Sequence, residues 1–454
     1  MINKSIVEVI PLPVEQLHFS KIKISNKIIK KFALQPGDEI EIVCNRNSTI
    51  VEIVSINEKE PIIHCSETLM QGFHLPIEPF TISLYKVSQN KLELGPIVGL
   101  LTDIIEKNNE VSLGSIDDFC RELSHYANEI GVLFYVFSLK KYSEEYGYYL
   151  LDDKWQKSTV PYPHVVHNRI HSRKREQSDL FKTFVHELQV NKIPFFNDHF
   201  LNKWEVHEIL LEHEHLLSYI PETKLLTTKQ DLNEMLEKHE CVFIKPVYGS
   251  QGKNIFRISK NHENRYFLDY TTFSGEIETV YEGFTALFQS LYSRFKQQTF
   301  IIQQCIPLLS YKEKPLDFRL LCQKQENEKW QITSAVARVS SKDQFVSNIA
   351  RGGEIKKVND ILFENFESKS VPHIKRLMKD VAIEVASIID LSTEGIFAEL
   401  GIDLALDVEG KPTIIEVNTK PSKNHDQDKP SSKIRPSAKA ILQHCVYLAN
   451  KYHF

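Results

Sequence analysis

The fold is decided by the stretch Gly401-Ile402-Asp403-Leu404-Ala405-Leu406-Asp407-Val408-Glu409-Gly410-Lys411-Pro412-Thr413-Ile414-Ile415-Glu416-Val417-Asn418. Its two apolar halves predict two strands, and Glu409-Gly410 predicts the two-residue centre of a hairpin turn. A turn at that position places Asp403 directly opposite Glu416. Because side chains alternate along a strand, Asn418 lies on the same face as Glu416. The sequence therefore predicts two carboxylates and one amide oxygen within reach of a single cation.

These oxygen donors lie between apolar residues such as Ile402, Leu404 and Val417, so we expect the strand pair to be largely buried. A buried ionised carboxylate is costly unless a partner compensates its charge. Hard cations such as Mg²⁺ prefer oxygen ligands, with water and phosphate completing the coordination. The alternative is a solvated edge hairpin whose acidic side chains face water. The apolar neighbours favour a metal–phosphate site.

Composition and charge narrow the class of protein. The chain has 454 residues, of which 42% are hydrophobic and 25% charged, and its net charge is -5. This is typical of a globular protein of about two to four domains. The mild negative charge gives no case for a nucleic-acid partner, no apolar run is long enough to span a bilayer, and the amino terminus shows no secretion signal. The seven cysteines lack CxxC spacing, which predicts reduced thiols and a cytoplasmic location.

The patterns divide the chain into three regions: a β-rich domain over 1–92, an α/β domain over 93–200 and a third domain over 201–454. In the first region alternating segments predict a small barrel or binding module, with strands at 39–43 and 49–54. In the second, buried strands alternate with helical patterns, which predicts a parallel sheet. Those strands are expected at 96–101, 132–137, 164–169 and 193–196. Asn168, Arg169 and Arg173 follow the carboxyl end of one of them, where ligands of parallel sheets bind.

The third region combines helices with strands in an α+β pattern. Its helices are predicted at 204–218, 229–238 and 371–391, and its strands at 241–245, 255–258, 300–304, 318–323 and 330–339. The expected fold class is therefore a multidomain protein with α/β and α+β parts.

A second group of residues has the chemistry of a phosphate site. Lys245 ends an apolar strand just before a turn that contains Gly249 and Gly252. Backbone N–H groups of glycine turns approach phosphate oxygens closely, and a lysine at a strand end adds a positive charge. Arg319 and Arg338, on neighbouring predicted strands, have the chemistry to brace a transferring phosphate. Alone, such a strand and turn is more often only a hairpin, and such arginines are as often merely exposed.

The order of these parts resembles the ATP-grasp fold. Members of that superfamily carry a lysine that opens the domain, a strand-end lysine before a glycine loop, a hinge strand beside the adenine, and an Asp…Glu-x-Asn set for two Mg²⁺ ions. The resemblance implies nucleotide contacts from Lys203, Lys245, Gly249, Ser250, Gln251, Gly252, Gln303, Gln304 and Ile306. It implies metal ligation by Asp403, Glu416 and Asn418. It implies roles at the transferring phosphate or the acceptor for Arg319, Arg338, Asn348 and Arg351.

A closer resemblance runs over nearly the whole chain. The segments that carry it are Leu94-Gly95-Pro96-Ile97-Val98-Gly99, Val166-His167-Asn168-Arg169-Ile170, Phe200-Leu201-Asn202-Lys203-Trp204, Asp317-Phe318-Arg319-Leu320 and Asn348-Ile349-Ala350-Arg351-Gly352-Gly353. They are similar to the YheC/YheD family of bacillar, ATP-grasp-containing proteins described as endospore coat-associated. The resemblance implies ATP with Mg²⁺, or Mn²⁺ in its place, and a sporulation context in the mother cell or at the spore coat, with coat proteins as partners.

Three departures separate the chain from the D-alanine ligases of the superfamily. The hinge position that is commonly Glu is Gln303, and the Arg two residues before the metal Asp is replaced by Gly401. Asn418 is followed by Thr419-Lys420-Pro421-Ser422 instead of a Pro-Gly pair. We therefore do not expect D-alanyl-D-alanine synthesis.

The expected function is an ATP- and Mg²⁺-dependent ligase that joins a small-molecule or peptide carboxylate to an amine, or to a thiol, through an acylphosphate. Two alternatives stay open: an ATP-binding structural protein of the spore coat without catalysis, and an ATP-grasp kinase that phosphorylates a hydroxyl.

Two further charged runs are weaker candidates for a functional site. Glu212-His213-Glu214-His215, with His207, lacks the HExxH spacing of zinc enzymes and is interpreted as a solvated helix face. The basic run His171-Ser172-Arg173-Lys174-Arg175 has the charge to attract a carboxylate or phosphate, although a charged helix start is the more common explanation.

Overall fold

A computed structural model describes residues 3–108, 110–142, 145–249, 254–272, 275–340, 353–423 and 434–454. Seven strands of the first region close into a barrel in the order β1-β5-β2-β4-β3-β7-β6. The elements are β1 (Lys4–Leu12), β2 (Lys21–Ser25), α1 (Asn26–Phe32), β3 (Glu39–Cys44), β4 (Asn47–Ile56), β5 (Ile62–Ser66), α2 (Glu67–Gly72), β6 (Phe80–Ser88) and β7 (Lys91–Gly95). Alternate aliphatic side chains such as Ile24, Ile42 and Ile53 fill its interior, which agrees with the β-rich prediction.

The next region is a six-stranded sheet in the order β13-β12-β11-β8-β14-β15. Its elements are β8 (Ile97–Leu101), β9 (Ile105–Lys107), β10 (Glu110–Ser112), a 3-10 turn (Gly114–Ile116), α3 (Asp117–Ile130), β11 (Leu133–Phe137), α4 (Leu139–Tyr142), β12 (Tyr146–Leu151), β13 (Lys154–Thr159), β14 (Val165–Asn168), α5 (Arg173–Glu176), α6 (Asp179–Val190) and β15 (Phe195–Phe196). The four central and edge strands β11, β8, β14 and β15 are parallel, as predicted. The prediction missed the antiparallel hairpin β12–β13 that extends the sheet on the other side.

The third region begins with an antiparallel sheet in the order β16-β21-β17-β18-β19-β20. Its elements are α7 (Lys203–Leu211), a 3-10 helix (Glu214–Tyr219), β16 (Thr223–Leu225), α8 (Lys229–His239), β17 (Cys241–Pro246), β18 (Phe256–Lys260), β19 (Tyr266–Thr272), β20 (Gly275–Tyr281), α9 (Phe284–Phe295) and β21 (Phe300–Gln304). The predicted helix over 204–218 is wrong in its second half. Regular helix ends at Leu211, His213 adopts an extended backbone, and a separate 3-10 helix follows.

A second antiparallel sheet, in the order β25-β24-β23-β26-β27, carries the hairpin predicted from the deciding stretch. Its elements are β22 (Ser310–Tyr311), β23 (Lys314–Lys324), β24 (Trp330–Val339), β25 (Glu354–Lys357), α10 (Val358–Asn365), α11 (Val371–Ser392), β26 (Glu399–Leu406), β27 (Pro412–Asn418) and α12 (Pro436–Tyr452). Helix α11 covers the apolar face of this sheet with side chains such as Val381, Val385 and Ile389.

The register of the β26–β27 hairpin is the predicted one at the site and different at the turn. Asp403 pairs with Glu416, as expected, but Leu404 pairs with Ile414. The turn is therefore not the predicted two-residue turn at Glu409-Gly410, because five residues from 407 to 411 connect the strands. A β-bulge between positions 403 and 404 takes up the extra residue and restores the predicted pairing at Asp403.

Buried polar contacts tie this hairpin to the parallel sheet. Arg169, which follows β14, is fully buried and donates to Glu399 (2.8 Å) and to the carbonyl of Pro421 (2.8 Å). Asn197 donates to the carbonyls of Glu399 (2.6 Å) and Thr419 (2.5 Å). The residues after Asn418 are thus held by the preceding region of the chain. In the part of the chain that the structure describes, no helix is both long and apolar enough to cross a membrane.

Candidate functional site

Two arginines hold the Asp403 carboxylate. Arg319 lies opposite Asp403 on β23 and donates to both of its oxygens, with a distance of 2.8 Å from Nη2 to Oδ2. Arg338, on β24, places its Nη2 3.0 Å from Oδ2 of Asp403. Burial alone would raise the pKa of Asp403, but the two guanidinium groups outweigh it and keep the pKa below the usual value. Asp403 is therefore an ionised carboxylate held in place on both sides.

Asp317 completes this cluster, although the sequence analysis predicted no functional role for it. It is the direct cross-strand neighbour of Arg338 and accepts from Nε (2.5 Å) and Nη2 (2.8 Å) of that arginine. This two-bond geometry fixes the plane of the guanidinium. An acid and a base at paired strand positions stabilise each other, but recognising this pair requires the register of β23 against β24.

Lys203 connects the hairpin to the glycine turn. Its Nζ donates to Oε1 of Glu416 (2.9 Å) and to the carbonyl of Gly249 (3.1 Å). Asn202 and Glu205 form a capping box that starts helix α7 at Lys203, so the lysine projects from a fixed helix end. Gly249 has no room for a side chain, because a Cβ there would lie 2.5 Å from Cγ of Pro246. Helix α7, β17 and β27 thus meet at one place.

Lys245, on β17, lies beside the same group of residues. Its hydrogen-bond partner is the uncharged side chain of Gln303. Its Nζ donates to Oε1 of Gln303 (2.5 Å), whose amide nitrogen donates to Oγ1 of Thr223 (3.0 Å). Burial lowers the pKa of Lys245 to about 8, with Glu416 opposing the shift and Lys203 adding to it. A buried ammonium without a bonded carboxylate favours the approach of an anion.

A cleft separates the two antiparallel sheets beside these lysines. Its lining comes from α7, the segment before β16, β16, β17, β21 and β27, and includes Lys203, Lys245 and Gln303. Its apolar lining consists of Val206, Leu210, Ile220, Pro221, Ile301, Ile414, Ile415 and Val417. A cleft lined mostly by apolar side chains with a few polar groups is the usual form of a small-molecule site.

Not all predicted contacts face this cleft. Gln303 lines it, whereas Gln304 and Ile306 are absent from its lining. The Gln304 side chain instead accepts from the backbone N–H of Glu222 (3.3 Å), as expected from the alternation of side chains along β21. The proposed nucleotide contacts Ser250, Gln251 and Gly252, and the proposed acceptor-side residues Asn348 and Arg351, lie outside the described residues.

The two charged runs that are weaker candidates for a functional site, 212–215 with His207 and 171–175, differ in their surroundings. His207 does not belong to a solvated face, because it is buried and lines the cleft. Within the described ranges no three His, Cys, Asp or Glu side chains cluster as a metal site. In the basic run, Arg173 lies 5.1 Å from the ring of Phe200 and 5.8 Å from that of Tyr248. Its Nη1 is buried and has no hydrogen-bond partner among the described residues.

The donor set of the hairpin fits Mg²⁺ in its chemistry. Asp403, Glu416 and Asn418 carry hard oxygen atoms on two adjacent strands, and Nδ2 of Asn418 donates to Oδ2 of Asp403 (3.3 Å). The side chain of Glu416 is about one-third exposed and so remains accessible. Two carboxylates and an amide leave most coordination positions for water and phosphate oxygens, as is usual for Mg²⁺ with nucleotides.

Comparison with known proteins identifies the family. The family described as YheC/D like ATP-grasp matches residues 192–448. The endospore coat-associated protein YheD of Bacillus subtilis (strain 168) is 27% identical over 376 residues, covering 80% of this chain and 81% of that protein. The endospore coat-associated protein YheC of the same strain is 23% identical over 344 residues, covering 74% of this chain and 92% of that protein. A solved structure of the ATP-grasp ligase PsnB, complexed with minimal precursor, Mg and ADP, has a TM-score of 0.44 and 12% identity over 77% of this chain and 97% of PsnB. Because the family match spans more than half of the chain, the protein belongs to the YheC/D like ATP-grasp family.

Proposed function

We propose that this protein is an ATP- and Mg²⁺-dependent ligase that activates a carboxylate as an acylphosphate and joins it to an amine. One observation carries the proposal: Lys203 bonds Glu416 in an apolar cleft that Lys245 also lines, and Arg319 and Arg338 hold Asp403, the cross-strand neighbour of Glu416. In this proposal residues 201–454 hold the nucleotide and 93–200 contribute to the substrate site.

The cleft between the sheets would receive the adenine. Its apolar walls match a flat purine ring, and Gln303 supplies an amide for the ring edge or the ribose. Lys203 and Lys245 then lie where the phosphate chain leaves the cleft, and Ser250, Gln251 and Gly252 would close over it. Phosphate oxygens would replace the neutral Gln303 as the partner of Lys245, which compensates the cost of burying its charge.

The metal would be held by Asp403, Glu416 and Asn418. When bound, Mg²⁺ offsets the negative charge of the β- and γ-phosphates during transfer. Arg319 and Arg338 would brace the transferring phosphoryl group, with Asp317 fixing the plane of the Arg338 guanidinium.

The reaction has two balanced steps. A carboxylate oxygen attacks the γ-phosphorus, the bond to the β–γ bridging oxygen breaks, and ADP leaves with that electron pair. The amine nitrogen then attacks the acyl carbon, inorganic phosphate leaves, and the amine loses a proton as the amide forms. Asn348 and Arg351 are the residues that we assign to the acceptor side of this step.

Arg173 is our candidate for holding the substrate carboxylate. It follows the carboxyl end of the parallel strand β14, where ligands bind in such sheets. Burial lowers its pKa, while Glu416 and Glu176 oppose the shift, so it lies in the electric field of the hairpin. Its buried Nη1 lacks a partner in the described part of the chain, and a carboxylate would satisfy it.

The test is ADP release from Mg-ATP with amino acids and short peptides, with hydroxylamine added to trap an acylphosphate as a hydroxamate. Hydroxamate formation that requires the acid supports the ligase. Phosphorylated polyols without hydroxamate would identify a kinase, and tight nucleotide binding without turnover would identify a non-catalytic coat protein. Glu416→Gln should lower turnover about tenfold or more, whereas Glu409→Gln, on the exposed turn of the same hairpin, should leave it unchanged.

Arg173 has its own matched control. Arg173→Gln should raise the KM for the acid about tenfold or more, because a charge-assisted carboxylate contact is lost. Arg175 lies two positions after Arg173 in the sequence, is exposed and pairs with Asp103. Arg175→Gln should therefore leave the KM for the acid unchanged. Equal effects of the two substitutions would contradict the assignment of Arg173.

A further inference from the structure

Two cysteines lie side by side on the antiparallel sheet that contains Lys245. Cys241 begins β17, and Cys305 directly follows β21. The register of these strands pairs Val242 with Gln304, and the backbone N–H of Cys305 donates to the carbonyl of Cys241 (3.1 Å). The two cysteines are therefore direct cross-strand neighbours, although they are far apart in the sequence.

The two thiols are close enough to form a covalent bond. The side chains of Cys241 and Cys305 share a hydrogen bond. Residues directly opposite each other in an antiparallel pair have Cα atoms about 4.5–5.5 Å apart, and disulfides join residues whose Cα atoms are about 4.4–6.8 Å apart. A bond between the two sulfur atoms therefore needs no change in the strand register.

The pair lies on the face of the sheet that is turned away from its apolar core. Val242 points to the opposite face, where it packs in one core with residues of helices α8 and α9. Because side chains alternate along a strand, Cys241 shares its face with Lys245. Cys305 shares the same face with Gln303. Both cysteines are partly exposed, whereas the other five cysteines of the chain are buried. A small oxidant therefore has access to these two thiols, and the core shields the others.

Cys241 has the surroundings of a reactive thiol. The hydrogen bond from Cys305 lowers the pKa of Cys241, and the positive charge of Arg257 on the neighbouring strand β18 adds to this shift, while burial and the carboxylate of Asp269 oppose it. The same hydrogen bond and burial raise the pKa of Cys305. Burial also raises the pKa of core cysteines, to about 12 for Cys65. Reactive cysteines are partly exposed and lie near positive charges, whereas buried thiols are inert. Cys241 is therefore the nucleophile of the pair.

We propose that Cys241 and Cys305 form a redox-responsive dithiol site, which a hydroperoxide oxidises to a cross-strand disulfide. The Cys241 thiolate attacks one peroxide oxygen, the O–O bond breaks, and the leaving hydroxide takes up a proton, which gives water and a sulfenic acid. The sulfur of Cys305 then attacks the sulfenic sulfur, the S–O bond breaks, and the thiol proton leaves with the hydroxide as a second water. The two sulfur atoms together lose the two electrons that the peroxide gains. A dithiol reductant reverses the bond by thiol–disulfide exchange, as suits a compartment where disulfides are transient.

The test exposes the whole protein, without nucleotide, to a small excess of hydrogen peroxide, blocks the remaining thiols with N-ethylmaleimide and identifies the products by mass spectrometry. Trypsin releases residues 239–253 and 297–312 as peptides that contain one cysteine each. The expected product is a disulfide between these two peptides, formed within one chain and removed by dithiothreitol. Alkylation of both peptides, a different pairing of cysteines, or a disulfide-linked dimer on a non-reducing gel would overturn the proposal.

Single substitutions separate the roles of the two sulfur atoms. Cys305→Ser keeps a hydrogen-bond donor beside Cys241 and should stop the reaction at the sulfenic acid, which dimedone labels at Cys241. Cys241→Ser should lower the rate of oxidation at Cys305 about tenfold or more relative to that of Cys241 in the first variant, because the pKa of Cys305 is raised. Equal dimedone labelling in the two variants would show two equivalent thiols and overturn the assignment of Cys241 as the nucleophile.

The activating charge of Arg257 has a matched control in Arg265. Arg257→Gln should slow formation of the disulfide about threefold or more at neutral pH, because a positive charge that favours the Cys241 thiolate is lost. Arg265→Gln removes the same charge from an exposed side chain that pairs with Glu263 and Glu282, and it should leave the rate unchanged. Equal rates in the two variants would overturn the electrostatic activation of Cys241.

Discussion

The affinity of the protein for ATP should fall as the pH rises, and Lys245 should be the cause. Burial lowers the pKa of Lys245 from 10.5 to about 8 in the nucleotide-free protein. Bound phosphates favour the protonated amine and return its pKa towards the ordinary value. Linkage requires that binding then takes up protons wherever the free lysine is partly deprotonated. At pH 8 the free lysine is half protonated, so binding should take up about half a proton.

The magnitude follows from the two pKa values. If the pKa returns to 10.5 in the complex, the dissociation constant rises about twentyfold between pH 7.5 and pH 9.5. Isothermal titration of Mg-ATP over this range, in buffers of different ionisation enthalpy, measures both the affinity and the proton uptake. Lys245→Arg keeps its charge throughout the range and should flatten the profile, whatever its absolute affinity. Lys260→Arg, on the neighbouring strand β18 and paired with Glu237, should keep the wild-type slope.

The same pKa fixes the sign of a stability effect. A lysine whose pKa is lowered in the folded state contributes stability that is present above pH 10.5 and is lost as the pH falls through 8. Without nucleotide, the stability of Lys245→Met relative to that of the wild type should therefore be higher at pH 7 than at pH 10. A pH-independent affinity for ATP, or an equal slope in Lys245→Arg, would refute this account of Lys245.

Three other substitutions test the surroundings of the site. Glu399→Gln should lower the free energy of unfolding by about 3–5 kcal/mol, because it removes the buried carboxylate that Arg169 and Lys423 both contact. Arg169→Met should cost less, because Glu399 keeps its contact with Lys423; equal costs in urea unfolding would contradict this order. Asp317→Asn should lower kcat about tenfold or more with little change in the affinity for ATP, since it loosens the contact that fixes the plane of the Arg338 guanidinium. A loss confined to nucleotide binding in calorimetry would disprove that role. Gly249→Ala should weaken binding of Mg-ATP about tenfold, because its Cβ would lie 2.5 Å from the ring of Pro246 and displace the turn. A fall in the melting temperature of more than a few degrees without nucleotide would indicate misfolding instead.

Local patterns were sufficient to predict most elements and one decisive contact. Alternation, turn residues and apolar runs identified the strands near Lys245, Gln303 and Asp403 to within a few residues. They also placed Asp403 opposite Glu416, although for a partly wrong reason. The turn is longer than predicted, and a bulge beside Asp403 compensates for it. Bulges depend on how the whole sheet twists and packs, which a single strand pattern does not contain.

Contacts between distant segments could not be predicted in this way. The pairing of Asp317 with Arg338 depends on strand register, and that of Arg169 with Glu399 joins residues 230 positions apart. Gly401 illustrates the same limit. The sequence predicted only that an arginine was missing there, whereas a Cβ at this position would lie 3.3 Å from Cδ of Arg319 and 2.8 Å from Pro421. The glycine makes room for an arginine that comes from a different strand.

The charges of the nucleotide-free site explain why it should bind an anion rather than remain a closed salt-bridge network. Among the described residues of the cluster, Asp317, Asp403 and Glu416 already have cationic partners in Arg338, Arg319 and Lys203. Lys245 is the basic group there that is bonded to a neutral amide. The cluster thus has four basic groups and three acidic groups, and Lys245 is the additional basic group. Its charge has no carboxylate partner among these three, and burial lowers its pKa. For Asp403 to bind a metal, its arginines must turn towards another anion, and the phosphates of a nucleotide can accept them and protonated Lys245 together. Metal and nucleotide should therefore bind cooperatively, each strengthening the other by the same factor.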